Sequence, residues 1–295
     1  MELVSLSNWD ISQNREKGVF VSYLGEARSL STWKEFNNQE LNKFYLEGSP
    51  LAGEIPLGSG KSLNMENIVK LFDRHASPEV AIYVDISSMP KKIMADFFLA
   101  CLNAGFSLLR LRIIYAIAHF SKPGEKVYAN RSIEPVHELF SGWSTPEPKP
   151  ISLILGLGYE PHKAEGAAEF FEPSEQWLFK PTSSIGEYLD QVEDNNKNLL
   201  KDEEGRKLIT YSVNDPEKTF GQLGMAVNYL LKKTNPVLLP FGPKIFFLMC
   251  LIYGYLYKEL GVWDIHGEAD NQNNEVQSSG VIVGMEVVFQ KISGQ

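Results

Sequence analysis

The sequence of 295 residues has few cysteines and few basic residues. Its two cysteines, Cys101 and Cys250, exclude a disulfide framework and a cysteine-based zinc cluster. Both lie in apolar stretches, which favours a reducing compartment, and we expect the protein to be cytoplasmic. Lysine and arginine number 28 against 37 aspartates and glutamates, which gives a formal net charge of −9. Because an extended nucleic-acid surface needs a basic face, this balance argues against one.

Long apolar runs are also lacking. The N-terminal segment has neither a basic region nor a long apolar core, so no signal peptide is expected. The most apolar run, Ile245–Tyr257, is shorter than the roughly 20 residues that a bilayer-spanning helix needs. We therefore expect no membrane contact and predict a helix that is buried on most sides in a protein core. The alternative is an apolar surface against a partner subunit.

Signatures of familiar catalytic and metal sites are absent as well. The LGSGKS segment lacks the first glycine of a phosphate-binding P-loop, where Ile55 stands instead. The GLGYEP segment keeps two glycines of a dinucleotide fingerprint but has Pro161 at the third position. No serine lies in a nucleophile elbow with a matching histidine and aspartate. Five histidines show no metal-ligand spacing, so neither a metal ion nor a resident cofactor is expected: His75, His119, His137, His162 and His266.

Short apolar runs alternate with amphipathic segments along most of the chain. This alternation predicts an α/β fold with mostly parallel sheets covered on both faces. Ser29–Tyr45 is predicted as one helix, and Val281–Gln290 as a final strand, antiparallel at a sheet edge. Residues 121–150 contain five prolines, and their last stretch, STPEPKP, indicates a linker. We place the boundary there, with one half at 1–148 and a second half, ending in the edge strand, at 149–295.

The two halves share a sequence plan, which predicts an internal duplication. In each half an apolar strand leads through a short turn to Pro-Lys and a long apolar helix. Pro90 and Lys91 thereby align with Pro243 and Lys244, and Asp85 aligns with Leu238. An earlier strand in each half is followed by Leu-Gly, a glutamate and a basic residue, and Gly25 aligns with Gly158.

Candidate ligand contacts follow from these turns. In an open α/β sheet, ligands bind beyond the carboxyl ends of the strands, where helix N-termini attract anions. Lysines at the start of a helix oppose the helix dipole, so an anionic ligand would explain them. Capped helices with solvated lysines explain the pattern equally well. The candidate ligand-binding residues are Arg28, Ser87, Ser88, Lys91, Gly158, His162, Lys163, Gly242 and Lys244.

Asp85 is the candidate catalytic residue. It stands near the end of the apolar run AIYVDIS, where a carboxylate is either half-buried and hydrogen-bonded or functional. Its counterpart in the second half is an apolar residue, which argues against paired-carboxylate chemistry between the halves.

With these paired turns in view, the chain resembles the duplicated Rossmann-like sensor domains of bacterial antiviral systems, of the CARF and SAVED type. The resemblance rests on SSMPK with FGPK and on LGEARS with LGYEPHK. It implies two tandem Rossmann-like halves that hold a cyclic or linear oligonucleotide between them. Such sensors often carry an effector domain, such as a nuclease, which is not recognisable here. The resemblance therefore implies an accessory subunit.

Three functions are compatible with the sequence. The first is a sensor or accessory subunit that binds a nucleotide-like anion, or docks a partner protein, at the cleft between the halves. The second is a nucleotide- or nucleoside-processing enzyme, of glycosidase or phosphoribosyl-transfer type, that uses Asp85. The third is a purely structural subunit of a complex. A partner protein or self-association is expected in the first and third.

Overall fold

The fold comes from a computed structural model that describes residues 1–12, 17–36, 41–56, 58–75, 81–120, 130–143, 148–201, 204–267 and 275–292. The chain forms two compact units. The first comprises Met1–His119 and Gln272–Gln295, and the second Phe120–Asn271.

The described residues form the following elements in chain order. The strands are β1 (Glu2–Asn8), β2 (Gly18–Ser22), β3 (Leu41–Leu46), β4 (Lys61–Leu63), β5 (Ala81–Asp85), β6 (Leu108–Ala118), β7 (Asn130–Pro135), β8 (Ile151–Gly156), β9 (Glu175–Thr182), β10 (Arg206–Ser212), β11 (Asn235–Pro240), β12 (Gly261–Gly267) and β13 (Ser278–Gln290). The α-helices are α1 (Ala27–Glu35), α2 (Ile68–His75), α3 (Lys91–Asn103), α4 (Lys163–Phe171), α5 (Gly186–Asn195), α6 (Pro216–Leu230) and α7 (Lys244–Leu256).

The first unit contains a seven-stranded sheet in the order β1-β13-β6-β5-β2-β3-β4. The five strands from β6 to β4 are parallel, whereas β13 pairs antiparallel with both β6 and β1. One core cluster packs α1 against the central strands through Phe20, Trp33, Phe36 and Tyr83. Strands β2 and β5 are buried along their whole length, as expected for central parallel strands.

The second unit contains a six-stranded sheet in the order β10-β9-β8-β11-β12-β7. All neighbours are parallel except β7, which pairs antiparallel with β12. Helix α4 packs Ala164, Ala167 and Phe171 against apolar side chains of β8 and β11. Helix α7 is buried at ten positions, Ile245–Gly254, which confirms the prediction of a helix covered on most sides.

The two sheets share one strand order. Counted along the chain, the parallel strands of each unit lie in the order 3-2-1-4-5, which is a Rossmann-like arrangement. In each unit the fifth strand then pairs with an antiparallel strand. The α/β class and the two mostly parallel Rossmann-like sheets are therefore confirmed. The similarity of the halves fits the duplication, which itself stays a prediction.

Several local signals act as the sequence indicates. Gly105 adopts a positive φ of 74° after α3, the left-handed conformation that ends a helix. Asp215 caps α6 by accepting a hydrogen bond from the Lys218 N–H at 3.2 Å, and Pro216 opens the helix. The α4 bounds agree with the predicted Lys163–Phe171.

The predicted helix Ser29–Tyr45 is wrong in its second part. Helix α1 ends at Glu35, and Leu41–Leu46 forms the parallel strand β3. Trp33, Phe36, Leu41 and Phe44 are all buried, but they reach the core from two elements. Spacing alone cannot distinguish these cases, because apolar residues on a short helix and on a following strand mimic one continuous helical face.

Strand β13 lies inside the first sheet. The sequence places the last strand at an edge of the second half, but β1 covers the outer side of β13. Strand β1 was not predicted, since most of its residues are exposed and give little hydrophobic pattern. Buried Arg112 on β6 donates to Glu286 Oε2 on β13 at 2.9 Å, an ion pair between register partners.

The proline-rich region 121–150 is partly structured. Residues 130–135 form β7, which pairs with β12, and Phe140 is buried in a short turn of 3-10 helix. Residues 121–129 and 144–147 of that region lie outside the described residues.

Candidate functional site

Each unit has a switch point, where the crossover connections on either side of the first parallel strand run in opposite directions. In the first unit this point lies between β2 and β5, and in the second between β8 and β11. The four loops singled out in the sequence follow these four strands and lead into α1, α3, α4 and α7. The predicted location of the loops beyond strand ends is therefore confirmed.

Asp85 is the last residue of β5 and has no exposed surface. Its register partner on β2 is Ser22, whose Oγ donates to Asp85 Oδ2 at 3.0 Å. The backbone N–H and Oγ of Ser87 donate to Asp85 Oδ1 at 2.9 and 2.5 Å. The carboxylate thus joins the ends of the two central strands, and both its oxygens accept hydrogen bonds from within the protein.

Burial raises the pKa of the Asp85 carboxyl to about 6. The hydrogen bonds from Ser87 and Ser22 and the nearby charge of Arg28 oppose this effect. Ionisation of a fully buried carboxyl group costs free energy, because the buried charge loses its hydration.

Ser87 and Ser88 tie the loop after β5 to its neighbours. Ser87 Oγ also accepts the Ala116 N–H at 2.8 Å. Ser88 Oγ lies 2.5 Å from Tyr23 O and accepts the Gly25 N–H at 3.0 Å. Both serines are buried, so their hydroxyls bind the loops of the first unit to one another.

Arg28, in the first turn of α1, points into the first unit. Its Nε donates to Glu26 Oε2 at 2.5 Å, and its Nη1 donates to Ala116 O at 3.0 Å. Burial alone would lower the pKa of Arg28, but Tyr115 and Glu26 raise it above its ordinary value. The structure therefore brings Arg28, Ser87 and Asp85 together around Ala116, as a closed polar cluster.

At the second switch point, the two loops contact each other through backbone atoms. The last register pair there is Gly156 with Pro240, so Pro240, and not Leu238, occupies the strand-end position of Asp85. A Cβ on Gly158 would lie 2.3 Å from Phe241 O, and one on Gly242 would lie 2.8 Å from Leu157 O. Both glycines are needed because the two loops contact each other directly.

Two asparagines hold the first of these loops from α5. The Nδ2 of buried Asn196 donates to Gly158 O at 2.8 Å, and the Nδ2 of Asn195 donates to Tyr159 O. Sequence reasoning missed both asparagines, together with Ser22. The acidic run around the asparagines looks like a solvated helix face, and only the strand register places Ser22 beside Asp85.

The remaining candidates lie in the first turns of the helices. Lys91 begins α3 and Lys244 begins α7, both half-buried, and each follows a proline at the N-cap. The backbone oxygen of Pro90 accepts the Met94 N–H at 2.9 Å, and that of Pro243 accepts the Phe246 N–H at 2.9 Å. His162 is exposed, has a positive φ of 61° and lies 3.2 Å from Glu165 Oε2. Lys163 Nζ donates to Glu160 Oε2 at 2.8 Å.

The two switch points differ in chemistry. In the first, a buried carboxylate and an internally paired arginine fill the strand ends. In the second, close-packed loops bring the start of α4 and the start of α7 to the same strand ends. The last register pair there, Gly156 with Pro240, contains no carboxylate. Helix N-termini of this kind favour an anion through their N–H groups and dipoles.

Within the described ranges, no helix is both long and apolar enough to cross a bilayer. The same residues bring together no group of three or more His, Cys, Asp or Glu side chains that could hold a metal ion. In comparisons with known proteins, the chain matches no family model and no curated protein.

Proposed function

We propose that this chain is a sensor or accessory subunit that binds a nucleotide-like anion without chemical turnover. The second unit is the stronger binding candidate, at the switch point between β8 and β11. The resemblance of the paired turns to CARF and SAVED sensor domains supports an oligonucleotide ligand and a role in bacterial antiviral defence. A partner protein, or a second copy, would receive the signal.

One observation carries this proposal. Phe241 O lies against Gly158, so the loops before α4 and α7 converge, and both helices begin at the same strand ends. Lys244 stands in the first turn of α7, where the helix dipole favours an anion and an anionic ligand would offset the charge of the lysine. In the first unit, Asp85 occupies the corresponding position and would repel an anion.

The enzymatic alternative is disfavoured by the geometry of Asp85. A general acid or base must reach the proton that it transfers. Asp85 is fully buried, and three donors from Ser22 and Ser87 occupy its two oxygens. These contacts support a role in joining β2 to β5.

Substitution of Lys244 tests the proposal. We expect Lys244→Ala to weaken nucleotide binding by about tenfold, the loss of a charge-assisted hydrogen bond. Isothermal titration calorimetry with ATP, a cyclic dinucleotide and a cyclic trinucleotide measures this. Lys91→Ala, in the first unit, should have a smaller effect. Lys232→Ala, an exposed lysine beyond the end of α6, serves as the matched control and should change nothing.

Two results would overturn the proposal. If the wild-type chain binds none of these compounds, the purely structural subunit becomes the better account. If Lys232→Ala weakens binding as much as Lys244→Ala does, then attraction is a general effect of surface charge and the switch point is not the site.

A further inference from the structure

Four aromatic side chains form a continuous row on the second unit. Ring centroids lie 5.0 Å apart for Phe170–Phe171, 5.5 Å for Phe171–Trp263 and 5.3 Å for Trp263–Trp143. The end of α4, strand β12 and the segment after Phe140 contribute these residues, which we call the aromatic row. Both ends are exposed: Phe170 retains 61% of its surface and Trp143 retains 40%.

At one end of the aromatic row, the backbone of Trp143 adopts an unfavourable conformation. Trp143 has a φ of 59°, a left-handed conformation that is rare for a bulky residue. Its N–H donates to Glu259 O at 3.1 Å, and Trp263 Nε1 donates to Ser141 O at 3.0 Å. Gly142 also has a positive φ, and a Cβ there would lie 2.5 Å from the backbone nitrogen of Gly261.

Strain that is retained to hold a large apolar side chain at the surface points to recognition. The core does not require it, because Trp143 buries only part of its ring. The row presents an exposed ring at each end, Phe170 and Trp143, and joins them through buried Phe171 and half-buried Trp263. Aromatic residues are enriched in protein interfaces.

The charges beside the row indicate what kind of partner fits it. Glu169 and Glu172 flank the two phenylalanines in sequence and are exposed. Glu138 is exposed as well, and Ser141 Oγ donates to its backbone oxygen at 2.9 Å. One exposed lysine, Lys258, precedes Glu259. Acidic side chains therefore predominate, and indole faces attract cations independently of them.

We propose that the aromatic row is a docking surface for a segment of a partner protein that carries arginine or lysine beside apolar residues. The arginines would stack on the indoles and pair with the glutamates, while the apolar residues would cover Phe170. This surface is separate from the switch-point loops, so it does not depend on nucleotide binding.

A displayed library of random peptides tests the specificity. Wild-type protein should enrich peptides that combine arginine or lysine with apolar residues, and the Trp143→Ala protein should not. An enriched peptide should then bind Trp143→Ala and Phe170→Ala about tenfold more weakly than wild type in calorimetry, as interface hot spots do. Glu169→Lys with Glu172→Lys should also weaken it. Met225→Ala, which truncates another exposed apolar residue, is the matched control and should bind normally.

Thermal melts of each variant confirm folding, and Trp143→Phe, which keeps an aromatic ring, should retain most of the binding. The inference is overturned if enrichment is the same for wild type and Trp143→Ala, or if acidic peptides are selected. It is also overturned if the protein sediments as a dimer that Phe170→Glu dissociates, because the occupant is then a second copy.

Discussion

The contacts of Asp85 decide between a catalytic and a structural role for its carboxylate. From the sequence, a carboxylate at the end of an apolar strand is equally compatible with catalysis and with structure. The structure surrounds both its oxygens with donors from Ser22 and Ser87. Because the charge is fully buried, its ionisation works against folding, and this gives a pH dependence that can be measured.

The folded-state pKa of Asp85, about 6, lies above its ordinary value of 3.8. The stability that this group contributes is therefore complete below pH 3.8 and is lost as the pH rises through 6. We expect the free energy of unfolding of wild type, relative to Asp85→Asn, to be about 1 kcal/mol lower at pH 7.5 than at pH 5. Urea midpoints at the two pH values measure it. A difference that does not change with pH, or that changes in the opposite direction, would show that Asp85 is not a buried ionised group.

The residues of the candidate site were only partly predictable. Glycines and prolines at the turns could be recognised because they restrict the backbone locally, and Gly158 and Gly242 indeed lie where the loops meet. Ser22, which bonds to Asp85, and Asn196, which bonds to Gly158, could not be recognised. Both are distant in the sequence from their partners and have no distinctive neighbours. Strand register and helix packing bring them together.

At the scale of single elements, helix α6 offers a matched pair of glycines. Nothing lies within 4 Å of a Cβ on Gly221, whereas a Cβ on Gly224 would lie 2.2 Å from the Tyr253 hydroxyl. We expect Gly221→Ala to stabilise the protein by about 0.5–1 kcal/mol, because alanine restricts the unfolded chain. Gly224→Ala should destabilise it, since Tyr253 must move and weaken its hydrogen bond to Phe220 O. Chemical denaturation checks both, and equal effects of the two substitutions would disprove the described packing of α6 on α7.

Elements buried on both sides were predicted well, whereas two of the edge strands, β1 and β7, were missed. Central strands and α7 carry continuous apolar runs that only a buried position explains. Strands β1 and β7 lie at sheet edges with mixed composition, so the hydrophobic pattern is weak there. Strand β3 was merged into a helix because its apolar residues continued the helical spacing of α1.

At the scale of the whole chain, the alternation of strands and helices was enough to predict two similar α/β sheets. It could not predict that the C-terminal strand returns to the first sheet, because strand pairing over long distances leaves no local signal. Glu286 and Arg112, which pair across that contact, are separated by most of the sequence. The same limit applies to function, since a shared strand order fixes where a ligand would bind but not which ligand.

The central claim is that the chain binds a nucleotide-like anion through the switch point of its second unit. The most direct test incubates wild type and Lys244→Ala with a bacterial nucleotide extract, desalts both proteins, denatures them and identifies the released compounds by mass spectrometry. The account predicts a phosphate-containing nucleotide that is retained by wild type and strongly depleted in the variant. Identical profiles for both proteins, matching that of an unrelated control protein, would contradict it.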